Sequence, residues 1–163
     1  MLKYVGTMAL ALLFADVAPA QDAGAPSCDD IETAQGVMDC FVSGLTIDDQ
    51  EVLSIYRDEV SDYSDAKKLQ IEKGLDSLGE NSQACQEAGE AESDLSYGVA
   101  MDDDTVETVA AKIERYSNRL QDCFGEIETY FTEQGLEDTV DAYRAYADDA
   151  SASANYTLGR LAP

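Results

Sequence analysis

Residues 104–134 read DTVETVAAKIERYSNRLQDCFGEIETYFTEQ, and the apolar spacing of this stretch decides the fold class. Val106, Val109, Ile113, Tyr116, Leu120, Cys123, Ile127 and Tyr130 recur at alternating steps of three and four. A helix of 3.6 residues per turn lays such a stripe along one core-facing side. Asp102, Asp103 and Asp104 stand just before it, where carboxylates complement the positive end of the helix dipole. Gly135 stands just after it and suits a C-cap.

The same pattern extends in both directions. Prolines occur only at positions 19, 26 and 163, so nothing from Cys28 to Ala162 forbids helix. A second run starts near Thr33 and carries Val37, Phe41, Leu45, Val52, Tyr56, Val60 and Tyr63. Its middle reads in two ways. Thr46 can cap a new helix with Asp49 three residues on, or one long helix bends near Gly44, and the unbroken three-four phase through Asp48 favours the continuous helix. The polar cluster Asp62-Tyr63-Ser64-Asp65 predicts a turn. Beyond it Ile71, Leu75, Leu78, Cys85, Gly89 and Leu95 continue a sparser stripe, with Gly79, Gly89 and neighbouring alanines allowing helices to approach closely. The tail, from Leu136 through Val140, Tyr143, Ala147, Ala150 and Ala154 to Leu158, predicts a weaker helix of small residues that frays at its end. The expectation is an all-α antiparallel helical bundle of four or five helices, disulfide-linked, with the helical domain over 33–163.

The N-terminus carries an export signature. Lys3 supplies a positive n-region, Val5 to Phe14 an apolar h-region, and Ala18-Pro19-Ala20 an A-x-A cleavage site before Gln21. The apolar run ends at Asp16 and is too short to span a bilayer, which needs about 20 residues. Residues 1–20 are therefore expected to be a cleaved signal peptide and residues 21–32 a flexible N-terminal segment. The product is expected to be soluble and periplasmic or secreted. All four cysteines, Cys28, Cys40, Cys85 and Cys123, lie beyond the cut, and an even number in a small exported chain predicts two disulfides. Two pairings stay open. Cys28 and Cys40 would stand about 18 Å apart on continuous helix, so they pair only if Cys28 precedes the helix and folds back. Alternatively, a hairpin turning near residue 64 brings Cys40 level with Cys85 and leaves Cys28 for Cys123.

Composition removes whole classes of chemistry. The 163 residues contain no His and no Trp, which excludes Ser-His-Asp and Cys-His catalysis and every His-ligated metal or haem site. There is no C-x-x-C redox motif. With 34 acids against 10 bases the formal charge is -24, which disfavours nucleic acid and anionic membrane surfaces and favours a cationic partner. The run D-D-D-T-V-E at 102–107 lacks the alternating ligand spacing of an EF-hand calcium loop. Asp58, Glu59, Glu87, Glu90, Glu92 and Glu128 fall mostly on the polar sides of the predicted helices, so they read as a solvated face. No catalytic residue, cofactor or metal ligand is assigned, and the chain is read as non-enzymatic. The nine tyrosines mostly occupy core-facing positions or their edges, consistent with buried rings whose hydroxyls reach water, with a Tyr-rich binding surface as the alternative. Asn155-Tyr156-Thr157 matches the glycosylation sequon, a short motif frequent by chance.

The cysteines and the first helical run resemble the N-terminal domain family of LprI-type lysozyme inhibitors. Cys28, Thr33 and Cys40 fit that family's opening spacing, with Met38 just before the second Cys. The segment Asp48-Asp49-Gln50-Glu51-Val52-Leu53-Ser54-Ile55-Tyr56 lines up with its A-D-x-E-L-N-x-x-Y stretch, keeping acids and Tyr and losing the Asn. Cys85 and Cys123 match its third and fourth cysteines in order and approximate distance. The family's Q-R-x-W-x-x-x-R-D stretch is missing, since Leu75 to Ser82 holds neither Trp nor Arg. The resemblance implies an exported, disulfide-linked helical domain and, less directly, inhibition of lysozyme. Charge supports the same target class independently, because an acidic protein is steered toward a cationic enzyme. The expected contact is the Ser96 to Thr105 connection, with Tyr97, Met101, Asp102, Asp103 and Asp104. The competing expectation is a structural or envelope-associated helical protein with no defined ligand, whose acidity serves solubility in salty surroundings.

Overall fold

The computed structural model describes residues 28–47, 54, 57, 58, 60–95, 98–135 and 140–161. Among them the chain is all-α, without a strand. It has helices α1 (Ala34–Gly44), α2 (Asp65–Asn81), α3 (Gln83–Asp94), α4 (Val106–Glu133) and α5 (Val140–Leu161), with further helical residues at 54, 57, 58 and 60. None of the described helices is long and apolar enough to cross a membrane.

The helix α4 is the centre of the bundle and touches all four others. Thr105 caps its start: the Thr105 hydroxyl accepts from Thr108 N at 3.2 Å, and the Thr108 hydroxyl accepts from Thr105 N at 2.7 Å. These bonds satisfy two of the free donors of the first turn. At the other end Gln134 N–H bonds back to Tyr130 O, and Gly135 follows at φ 66°, the left-handed conformation that glycine adopts without cost. Val109, Ile113, Tyr116, Leu120, Cys123 and Ile127 are buried as the stripe predicts. The buried face is wider than the stripe, however. It takes in Ser117, Phe124 and Phe131, while Val106 and Tyr130 are only partly covered. A central helix clasped from several sides buries more than one row.

At α1 the sequence expectation is corrected. The helix begins after Thr33, whose hydroxyl accepts from Gly36 N at 3.0 Å, but it stops at Gly44 rather than bending and continuing. Leu45 is extended. The N–H groups of Thr46 and Ile47, which a longer helix would bond back into α1, instead donate to the Asp149 carboxylate of α5 at 2.8 and 3.0 Å. The Thr46 hydroxyl donates to the same carboxylate. A side chain a hundred residues away thus ends the helix. A second break falls at Ser82, within the predicted stripe from Ile71 to Leu95. Ser82 N–H closes α2 on Leu78 O at 2.8 Å, and its hydroxyl opens α3 by accepting from Cys85 N at 3.1 Å. The turn before α2 forms as expected, with Ser64 as N-cap.

The disulfides are Cys28–Cys40 and Cys85–Cys123, each with Cα atoms 4.5 Å apart. Cys28 does precede the helix and fold back. The returning chain presses the Asp30 carbonyl against Gly36 so closely that any Cβ at residue 36 would overlap the oxygen. The segment expected to be flexible is described from Cys28 onward, where Cys28 is buried and bonded; residues 21–27 and the expected signal peptide lie outside the described residues. The second bridge fastens α3 to α4. The tail helix α5 docks through Val140, Tyr143, Ala147, Ala150, Ser153, Ala154 and Thr157, against α4 and α1, and is helical through Leu161. Of the glycines expected to ease close approach, Gly89 has open space around it. The tight crossings are instead at Gly44, faced by Ser153, and at Gly74, faced by the Tyr130 ring.

Candidate functional site

The connection from α3 to α4 is irregular and yet fixed at both ends. After Leu95 the chain turns through Gly98 at φ 83°, a conformation that side chains rarely adopt. From α1, the Gln35 side chain grips the next two peptide groups. Its Nε2 donates to Gly98 O at 3.3 Å, and its Oε1 accepts from Ala100 N at 2.9 Å. The Gln35 amide is itself steadied by a 2.7 Å bond to Asp39 one turn on.

The far end is held by Asp104. Its carboxylate accepts from Met101 N at 2.9 Å and from the Thr108 hydroxyl at 3.3 Å, and it pairs with Lys112 Nζ at 2.8 Å. The hydrogen bond from Lys112, followed by that from Met101 N–H, holds the Asp104 carboxyl below its ordinary range. Glu107, in the first turn of α4, is also lowered, by its own backbone N–H and then by the Thr105 hydroxyl.

With the backbone held in this way, Ala100 turns toward the core and its two apolar neighbours are exposed. Val99 is 58% exposed and Met101 52% exposed. Val42 of α1, 39% exposed, stands beside Gly98: a Cβ on Gly98 would lie 3.1 Å from Val42 Cγ2. Asp102 and Asp103 follow Met101 and are exposed, as is Asp39. The result is two exposed apolar side chains with carboxylates next to them in the chain, on a backbone tied by hydrogen bonds at both ends.

Of the expected contact residues, Met101, Asp102 and Asp103 therefore share one exposed connection. Asp104 differs: its side chain is only 9% exposed and is engaged within the chain. Tyr97 lies outside the described residues. Val42, Val99 and the Gln35 grip were not legible in the sequence. The one local signal was Gly98, which marks a turn but not what holds it.

Elsewhere three arginines are taken up by acids of the same chain. Arg115 pairs with Asp94 at 2.8 Å and reaches Glu90, Arg119 pairs with Glu87 at 3.0 Å, and Arg144 pairs with Glu128. These exposed pairs each contribute about 0–1 kcal/mol, and they leave the surface around the connection with uncompensated acids. No group of three His, Cys, Asp or Glu among the described residues is placed to hold a metal ion. The sequon residue Thr157 is fully buried and donates to Cys40 Sγ at 3.4 Å. Neither a known family model, nor a curated protein, nor a solved structure matches this chain.

Proposed function

We propose that this chain is an exported, non-enzymatic binding protein that blocks a cationic protein, with lysozyme inhibition of the LprI type as the specific form. One observation carries the reading: Val99 and Met101 are more than half exposed on a connection that Gln35 and Asp104 hold in place. Apolar side chains on a slack loop would lose much of their binding energy to ordering, whereas a pre-fixed loop does not. An apolar anchor ringed by polar groups is also the usual anatomy of a protein contact. Asp39, Asp102 and Asp103 supply the charge for basic groups around the anchor, and the formal charge of -24 accelerates encounter with a cationic partner. The two disulfides are compatible with an oxidising compartment outside the cytosol.

The test is lysis of cell-wall substrate by lysozyme, at two salt concentrations, with an equally acidic unrelated protein as control. Inhibition above the control that survives moderate salt is the expected result. Replacing the anchor, Met101→Asp with Val99→Asp, should weaken it by roughly tenfold or more, the equivalent of about 1.4 kcal/mol. Inhibition no greater than the control's and abolished by salt would leave charge alone at work, and the structural reading would then stand in front.

A further inference from the structure

The Gln35 side chain that grips the α3–α4 connection stands in the first turn of α1. The helix has 11 residues, and an isolated helix of fewer than about 12 is marginal in water. Its C-terminal half is supported by α5, which bonds to Cys40, Phe41, Thr46 and Ile47. The first turn is built on residues 28–33 instead. The Thr33 hydroxyl accepts from Gly36 N at 3.0 Å and donates to the Asp30 carboxylate at 3.4 Å. The Asp30 carbonyl occupies the place where a Cβ of residue 36 would stand, and Gly36 is buried against it. The side chains of this returning segment give it little reason to lie there. Asp29, Asp30, Glu32 and Thr33 are exposed and Ile31 is partly covered, and three of the five are carboxylates in a chain of formal charge -24. What draws the segment back along the helix is the bond from Cys28 to Cys40, one turn beyond Gly36.

We propose that the Cys28–Cys40 bond is the brace of the α3–α4 connection, so that the connection takes its fixed shape only in the oxidised chain. The bond seats residues 28–33, these cap the first turn of α1, and the capped turn holds the Gln35 amide where it meets Gly98 O and Ala100 N. Without the bond the cap has nothing to keep it against the helix, the first turn frays, and the two peptide groups lose their partner. The bond forms by thiol–disulfide exchange with an oxidant that carries a disulfide. The two cysteine thiols give up two electrons and two protons as the Sγ–Sγ bond closes, and the disulfide of the oxidant takes them to become two thiols. A reduced chain therefore carries Val99 and Met101 on a slack loop and gains its binding shape on reaching an oxidising compartment, a consequence that rests on the reading of the connection as the contact surface.

Amide hydrogen exchange at Ala100, whose N–H donates to Gln35 Oε1, reads the brace directly. Replacing Cys28 and Cys40 together by Ala, with Cys85–Cys123 kept, should raise the Ala100 rate by roughly fivefold or more. Gln35→Ala should do the same, and adding the two cysteine changes to Gln35→Ala should raise it no further, because both act through one contact. Gly74→Ala, which disturbs the seat of α2, should leave Ala100 as it is, which separates the brace from a general loss of stability. An unchanged Ala100 rate in the folded cysteine variant overturns the proposal, as does full additivity with Gln35→Ala. If the cysteine variant does not fold, Thr33→Val decides, since it removes the cap and keeps the bond: the Ala100 rate should rise by roughly threefold or more, and no rise overturns the proposal equally. Exchange is measured without lysozyme, so failure of the brace and failure of inhibition are read separately.

Discussion

The helices α4 and α2 are both long, at 28 and 17 residues, and both begin on a hydroxyl N-cap, yet they are held in opposite ways. The helix α4 buries two adjacent rows of side chains, carries one half of a disulfide and has every neighbour against it. The helix α2 fully buries only Ile71 and Gly74, with Leu75 and Leu78 partly covered, and meets α4 through the Tyr130 ring laid on Gly74. Capping and periodicity are sufficient to make each a helix. They do not determine how firmly it is docked, because that depends on what other elements bring to its surface. The contrast makes α2 the region of lowest local stability among the described helices, and α4 with its bonded neighbour α3 the highest.

The largest expected effect comes from weakening the strong side of this contrast. Replacing Cys85 and Cys123 together by Ala releases a loop closure of 38 residues' separation and should cost about 4 kcal/mol by chain entropy, read as a lower denaturation midpoint. A loss under about 1 kcal/mol would mean that the α3–α4 seam is self-sufficient.

A smaller effect sharpens the weak side. Gly74→Ala places a methyl group in the Tyr130 ring and should destabilise by about 1–3 kcal/mol despite the better helix propensity of Ala. Gly89→Ala, on the neighbouring helix with nothing near it, should be neutral or stabilise by up to about 1 kcal/mol. Equal melting temperatures for the two variants would remove Tyr130 as the element that seats α2.

The smallest effect concerns the α3–α4 connection in acid. The folded chain holds the Asp104 carboxyl below its unfolded value of about 3.9. Its stabilisation is therefore present above about pH 4 and is lost as pH falls through the depressed folded value. Asp104→Asn should flatten that part of the acid limb of a stability-pH curve, with less effect at neutral pH than the disulfide variant. An acid limb identical to that of the unmodified protein would mean that Gln35 alone holds the loop.

The sequence was most informative where periodicity and packing coincide. In α4 the alternating steps from Val109 to Ile127 mark buried positions correctly, because one face of that helix meets the core along its whole length. Phe124 and Phe131 escaped the stripe because they belong to a second row that exists only when α5 brings Tyr143 against them, at ring distances of 5.5 and 6.2 Å. The end of α1 escaped for a related reason, since Asp149 is remote in sequence and nothing near Thr46 announces it. The choice of disulfide pairing turned on whether Cys28 folds back, and the signal, Gly36 under the Asp30 carbonyl, has meaning only once that fold is known. The candidate surface divides in the same way: Met101, Asp102 and Asp103 stood out by position, while their support by Gln35 is a contact across more than sixty residues.

The attachment of α1 also fixes an order of events in time. The long-range contacts that finish this helix on its C-terminal side come from α5: Asp149 takes the Thr46 and Ile47 amides, the Ser153 hydroxyl donates to Phe41 O, and Thr157 reaches Cys40. A chain made from its N-terminus must therefore extend by about a hundred residues before α1 acquires its seat, an interval of about 5–20 s at ordinary synthesis rates. Until then Phe41 has Tyr116 of α4 to pack against, at a ring distance of 6.3 Å, and the short Cys28–Cys40 closure is the first described covalent link within reach. The first of the described helices to emerge is in this sense among the last to gain all its contacts.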